Sequence, residues 1–188
     1  MKIDRGNIIC IVTGIFNLIA GVILMLQPFY SEKHFFYMIA AVLFLGGLGA
    51  FSVFVIRPRI RFRPGWILPQ GIAEILLSAC MVAAYVSDVG DAVTILCRVL
   101  CYFAMLTAVL HVSAGIQIKC LGYPRWWVML VFGVLNLFFG IYEFVNMFDG
   151  IKNPFLHFGV LFILVSVQFF VETGVYKLPA RHETNEYQ

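Results

Sequence analysis

The stretch QGIAEILLS, residues 70–78, places Glu74 in an apolar run that carries no other charge between Arg63 and Asp88. Two further stretches share its pattern: TGIFNLIAG (13–21) and FGVLNLFFG (132–140). In each, a glycine is followed by Ile or Val, one variable residue, a polar residue, three apolar residues and a small one. Gly14, Gly71 and Gly133 align, as do Asn17, Glu74 and Asn136, and Gly21, Ser78 and Gly140. The offsets i, i+3 and i+7 fall on one face of a helix. Small residues at two of the three positions let backbones approach, and the polar residue between them is set to hydrogen-bond across to a neighbour.

The surroundings say what solvent these helices occupy. The 188 residues are 62% hydrophobic, with 19 Phe, and only 12% charged, against roughly 25% charged in a soluble domain. Apolar surface on that scale is not tolerated in water. With a window near the ~20 residues that cross a hydrocarbon core, six runs emerge, at about 8–26, 35–56, 66–86, 93–118, 126–146 and 155–176. Short polar or turn-forming segments separate them. The N-terminal run follows Lys2 and Arg5 as a signal peptide would, but no small-x-small site follows it before Gln27-Pro28, so it reads as an uncleaved first helix.

Lys and Arg in short loops stay on the cytoplasmic side. With the N-terminus inside, Lys2, Arg5, Arg57, Arg59, Arg61, Arg63, Lys119, Arg125, Lys177 and Arg181 are cytoplasmic. Only Lys33 and Lys152 are outside, and Arg98 lies within a span. Six spans then return the C-terminus to the cytoplasm. The net charge of +3 is topogenic and does not imply nucleic acid.

The runs at 41–49, 108–116 and 161–169 align more loosely, with small residues at Gly46, Ser113 and Ser166. The expected fold is therefore all-α: a six-helix transmembrane bundle built from three parallel helical-hairpin repeats, about 7–57, 64–119 and 124–177, followed by a short cytoplasmic tail, 178–188. An even number of spans per unit gives all three the same orientation, as in parallel-repeat transporters. A pseudo-threefold bundle is the simplest such arrangement; two hairpins plus a divergent third also satisfy the pattern.

Asn17, Glu74 and Asn136 lie at similar depth near the bilayer middle, because each is about halfway along a span of the same direction at ~1.5 Å per residue. In a threefold bundle they form a polar ring. Two readings stay open for it: interhelical hydrogen bonds that hold the bundle, each worth about 1 kcal/mol or less, or a polar pathway, since ionisable groups at this depth are costly to keep. Arg98 and Glu143 are the candidate partners of Glu74; without one, the carboxyl is protonated and becomes a hydrogen-bond donor. His111 and Glu172 are placed toward the cytoplasmic end and His157 toward the outer end, within reach of interfacial water.

The loop RPRIRFRPGW (57–66) alternates Arg57, Arg59, Arg61 and Arg63 with Pro58, Ile60 and Phe62. It reads either as a topological stop signal ended by an interfacial Trp66 or as an extended strip that sets its arginines on anionic lipid headgroups. Cys97 and Cys101 share a helix face but have no His or Asp at ligand spacing, so they read as small packing residues; neither a metal site nor a disulfide framework is expected. No cofactor motif is present, and no nucleophile is paired with a base, so an enzyme is not expected.

The recurring Gly-Ile/Val-x-x-apolar-apolar-apolar-small pattern, Gln27-Pro28 after the first span and the Gly65-Trp66 start of the third resemble the HdeD family. These are multi-pass bacterial inner-membrane proteins built from a short repeat. The resemblance implies residence in the inner (plasma) membrane and a non-enzymatic role linked to stress or acid resistance. The alternative is a small channel or transporter whose pathway passes Glu74. Glu74, Arg98 and the four-arginine loop depart from a plain apolar repeat.

Overall fold

The computed structural model describes residues 5–26, 32–56, 65–88, 92–120, 122, 124–149 and 154–175. Among these there are six α-helices and no strands: α1 (Arg5–Leu26), α2 (Glu32–Ile56), α3 (Ile67–Val86), α4 (Ala92–Cys120), α5 (Trp126–Asp149) and α6 (Pro154–Val175). α1 to α5 each contain a stretch long and apolar enough to cross a bilayer, and α6 is a 22-residue helix that is apolar through Phe155–Val171. Large apolar side chains such as Ile11, Ile19, Phe44, Val109, Phe138 and Tyr142 are exposed along the outer faces. A surface of this kind belongs in lipid, and the chain is a multi-pass membrane protein.

The buried stripe of each odd-numbered helix follows the sequence repeat. In α1 it includes Thr13, Gly14, Asn17 and Gly21; in α3, Gln70, Gly71, Glu74 and Ser78. In α5 it runs through Met129, Gly133, Asn136, Gly140 and Glu143. These stripes pack chiefly against even-numbered helices. The most extensive helix contacts are α4 with α5, α1 with α6 and α2 with α3. Thus each odd helix lies closest to an even helix of the neighbouring hairpin, and the tight pairs cross the repeat boundaries. Contacts within the sequence hairpins, α1 with α2 and α3 with α4, are looser, and those of α5 with α6 are sparser still. α4 also touches α2 and α6, so the even helices form the inner layer.

Glycine decides how close the tight pairs come. A methyl on Gly71 would stand 2.8 Å from Gly47 O and 2.8 Å from Phe51 N; one on Gly133 would stand 3.1 Å from Ala108 O and 2.9 Å from Val112 N. On Gly21 it would meet Gly159 O at 2.8 Å and Ile163 N at 3.2 Å, and on Gly140 it would meet Met105 N at 3.2 Å. The neighbours are backbone atoms, which cannot rotate aside. Such contact between small residues is how helices associate where lipid removes the hydrophobic drive.

The same contacts give the true register of the even helices. Gly47 and Ala108 occupy one position relative to Gly71 and Gly133, while Met105 and Ile163 correspond across Gly140 and Gly21. Gly47, Ala108 and Ser166 are therefore equivalent, whereas sequence alone set Gly46 with Ser113 and Ser166. Small residues recur along these helices at several turns, and residue type does not say which of them meets the partner backbone.

At the turn between α4 and α5, Gly122 adopts φ 76° and its N–H donates to Lys119 O at 3.0 Å. This left-handed residue ends the helix at no steric cost. Lys119 Nζ lies 4.6 Å from the centre of the Trp126 ring, tying the two helices beside the turn that joins them. At the other end of the α2–α3 pair, the rings of Phe36 and Tyr85 lie 4.5 Å apart.

Candidate functional site

Glu74 is 2% exposed. One turn earlier on α3, Gln70 Nε2 donates to Glu74 Oε1 at 3.0 Å. The other carboxylate oxygen lies over Gly46 of α2: the point where a methyl would stand on that glycine is 3.0 Å from Glu74 Oε2 and 3.9 Å from Asn17 Nδ2. The space left by one absent side chain thus receives a carboxyl from α3 and an amide from α1. Asn17 also donates from Nδ2 to Thr13 O at 2.9 Å, and Thr13 itself packs on Gly49. Farther along α3, Ser78 Oγ donates to Ala40 O of α2 at 2.8 Å.

Asn136 faces a different helix. It is buried like its two counterparts, but the extensive contacts of α5 are with α4. Gly133 and Gly140 on either side of it pack on Ala108, Val112, Ala104 and Met105. Asn17 and Glu74 therefore come together at Gly46, and Asn136 stands against α4. The odd helices flank the inner layer without packing extensively on one another, and Gly133 meets α4 as Gly71 meets α2.

The two candidate partners of Glu74 lie elsewhere. Arg98 is exposed and forms no ion pair among the described residues. Glu143 is fully buried and is approached by His157 Nδ1 of α6, 2.7 Å from its Oε1. One partner of Glu74 is the neutral amide of Gln70, which the i−4 spacing made available and which sequence reasoning passed over.

Two other positions depart from expectation. His111 is 1% exposed, not interfacial: its Nδ1 lies 2.7 Å from Thr107 O, so that nitrogen carries the proton donated to the carbonyl. Trp66, expected at the interface, is buried in the bundle. Depth along a span does not reveal which face of the helix a residue occupies, and both lie on the inner face. Cys97 and Cys101 are buried thiols outside any disulfide, and Cys101 Sγ lies 3.7 Å from Gly140 O. Arg57, Arg59, Arg61 and Arg63 lie outside the described residues.

Residues 12–83 match the family model described as a short repeat of unknown function (DUF308). The matched segment contains most of α1, all of α2 and most of α3, and so carries Asn17, Gly46, Gln70, Glu74 and Ser78 together. No curated protein and no solved structure matches the chain.

Proposed function

We propose that the chain is a non-enzymatic inner-membrane protein of HdeD type that serves tolerance to acid or a related stress, with both termini in the cytoplasm. The observation that carries this reading is the Glu74 carboxyl, held inside the bundle between Gln70 and the Gly46 gap. The similarity of residues 12–83 to the short repeat supports the assignment, since the HdeD family is built from such a repeat. A carboxyl within hydrocarbon depth changes its hydrogen-bonding role when it gains a proton, from acceptor to donor. The helices meeting at Gly46 then respond to external acid. The four arginines at 57–63 are assigned to anionic headgroups on the cytoplasmic face, where an extended basic loop gains about 1 kcal/mol per charge.

A second reading is favoured by Thr13, Asn17, Gln70 and Glu74 together, which bring polar groups of α1 and α3 to the α2 surface. In that reading they line the route of a small channel or transporter. The Glu74→Gln variant tests both. Loss of survival after acid challenge in cells lacking the wild-type protein, with no proton or solute flux in proteoliposomes, supports the stress reading. Glu74-dependent flux in wild-type proteoliposomes favours the transporter. Unchanged survival and absent flux sink both.

A further inference from the structure

Polar groups around Glu74 find hydrogen-bond partners within the bundle; several buried ones on α4, α5 and α6 do not. Asn136 Oδ1 and Nδ2, His111 Nε2, and Gln168 Oε1 and Nε2 are all buried without a hydrogen-bond partner among the described residues. Asn136, His111 and Gln168 are exposed by no more than 3%. They belong to three helices, α5, α4 and α6.

Helix register brings them to one region. Glu74 packs over Gly46 and Gly47, and the equivalent position of α4 is Thr107–Ala108. Asn136 therefore stands against Thr107, whose hydroxyl is engaged with Phe103 O and Ala104 O of its own helix, both at 2.9 Å. Thr107 O receives His111 Nδ1 one turn on, leaving His111 Nε2 as the bare acceptor of the neutral ring. With Ala108 equivalent to Ser166, Gln168 of α6 lies within about one residue rise, ~1.5 Å, of the depth of His111. α4 and α6 are in direct contact.

Two amides and an imidazole buried with open donors and acceptors are costly if dry, and the cost disappears when each meets a hydrogen-bonding guest. The groups are neutral, and they offer acceptors at Nε2 and the amide oxygens and donors at the amide nitrogens. That complement fits a small molecule that both donates and accepts, and does not call for an ion. We infer that His111, Gln168 and Asn136 form an internal hydration site: a cluster of ordered water held between α4, α5 and α6. This site is separate from Glu74 and independent of the role assigned to it.

Solid-state NMR of the full chain in liposomes, with nitrogen-15 histidine and transfer of magnetisation from water, tests the inference. His111→Gln identifies the His111 resonances. The expected result is water transfer to the His111 ring at least about half as efficient as to exposed His34. It persists in Glu74→Gln and falls at least twofold in Gln168→Leu and Asn136→Leu. Absence of transfer to His111 in the wild-type protein overturns the inference. So does transfer that neither leucine variant reduces, because the water then reaches His111 by another route. If both leucine variants fail to fold, Gln168→Met and Asn136→Ala take their place, and an unchanged His111 water signal in both counts equally against the site.

Discussion

His157 Nδ1 on α6 lies 2.7 Å from Glu143 Oε1 on α5, with Glu143 wholly buried and His157 21% exposed. These helices are neighbours in sequence yet share very little backbone contact. The pair therefore links them at the end of the bundle where α5 finishes and α6 begins. Removing one member leaves a carboxyl without its partner in low dielectric, which costs about 3–5 kcal/mol in buried pairs. His157→Ala is expected to lower stability toward the bottom of that range, because water reaches the imidazole. Glu143→Gln, which keeps an acceptor for the ring, is expected to lose less than Glu143→Ala. Reversible unfolding in detergent with a double-mutant cycle measures the coupling; a value below about 0.5 kcal/mol shows that the contact does not hold α6.

Gly71 and Gly47 set the separation of α2 and α3, each facing the other's carbonyl oxygen at under 3 Å from where a methyl would stand. Gly71→Ala is expected to force the helices apart and cost about 1–3 kcal/mol, the usual penalty of overpacking. Gly65→Ala provides the contrast, since the nearest atom to its added methyl is Gln117 Oε1 at 3.7 Å. A surface change of that kind stays within about 0.5 kcal/mol. Equal effects of the two substitutions on the detergent melting curve contradict the close crossing.

The glycine contacts also show why one part of the fold was legible in the sequence and another was not. The odd helices announce their buried face because Gly14, Gly71 and Gly133 recur with a polar residue three positions on, a pattern that only one helix face satisfies. The even helices are nearly uniform in hydropathy, and Gly46, Gly47 and Gly49 offer competing registers. Which glycine meets α3 depends on backbone approach. The same limit applied to the site. Composition brought out Glu74, but its partner Gln70 is an ordinary polar residue on the same helix, and the partner of Glu143 waited on knowing that α6 passes beside α5.

Glu74 and Gln70 supply a third prediction, one that separates hydrogen bonding from charge. Glu74→Ala leaves the Gln70 amide without its acceptor and is expected to cost about 1–3 kcal/mol, the penalty of an unsatisfied buried group. Glu74→Gln keeps an amide oxygen at the same reach and is expected to lose less than about 1 kcal/mol. In a Gln70→Leu background, Glu74→Ala is expected to cost less than in wild type, because the donor has gone with the acceptor. Identical costs in the two backgrounds show that the 3.0 Å contact contributes nothing to stability.

Orientation gives the last prediction, and the native cysteines report it without substitution. Cys10, Cys97 and Cys101 are buried, while Cys80 and Cys120 are exposed. Cys80 lies well inside α3 among lipid-facing residues, where an impermeant thiol reagent does not reach. Cys120 is the last residue of α4, beside Lys119, at the end the arginine and lysine distribution assigns to the cytoplasm. A charged maleimide is therefore expected to leave the chain unlabelled in intact cells and to modify one cysteine in inside-out vesicles. Cys120→Ser should abolish that modification. Labelling of Cys120 in intact cells reverses the orientation: the basic ends of the helices then face outward, and Glu143 and His157 sit at the cytoplasmic surface.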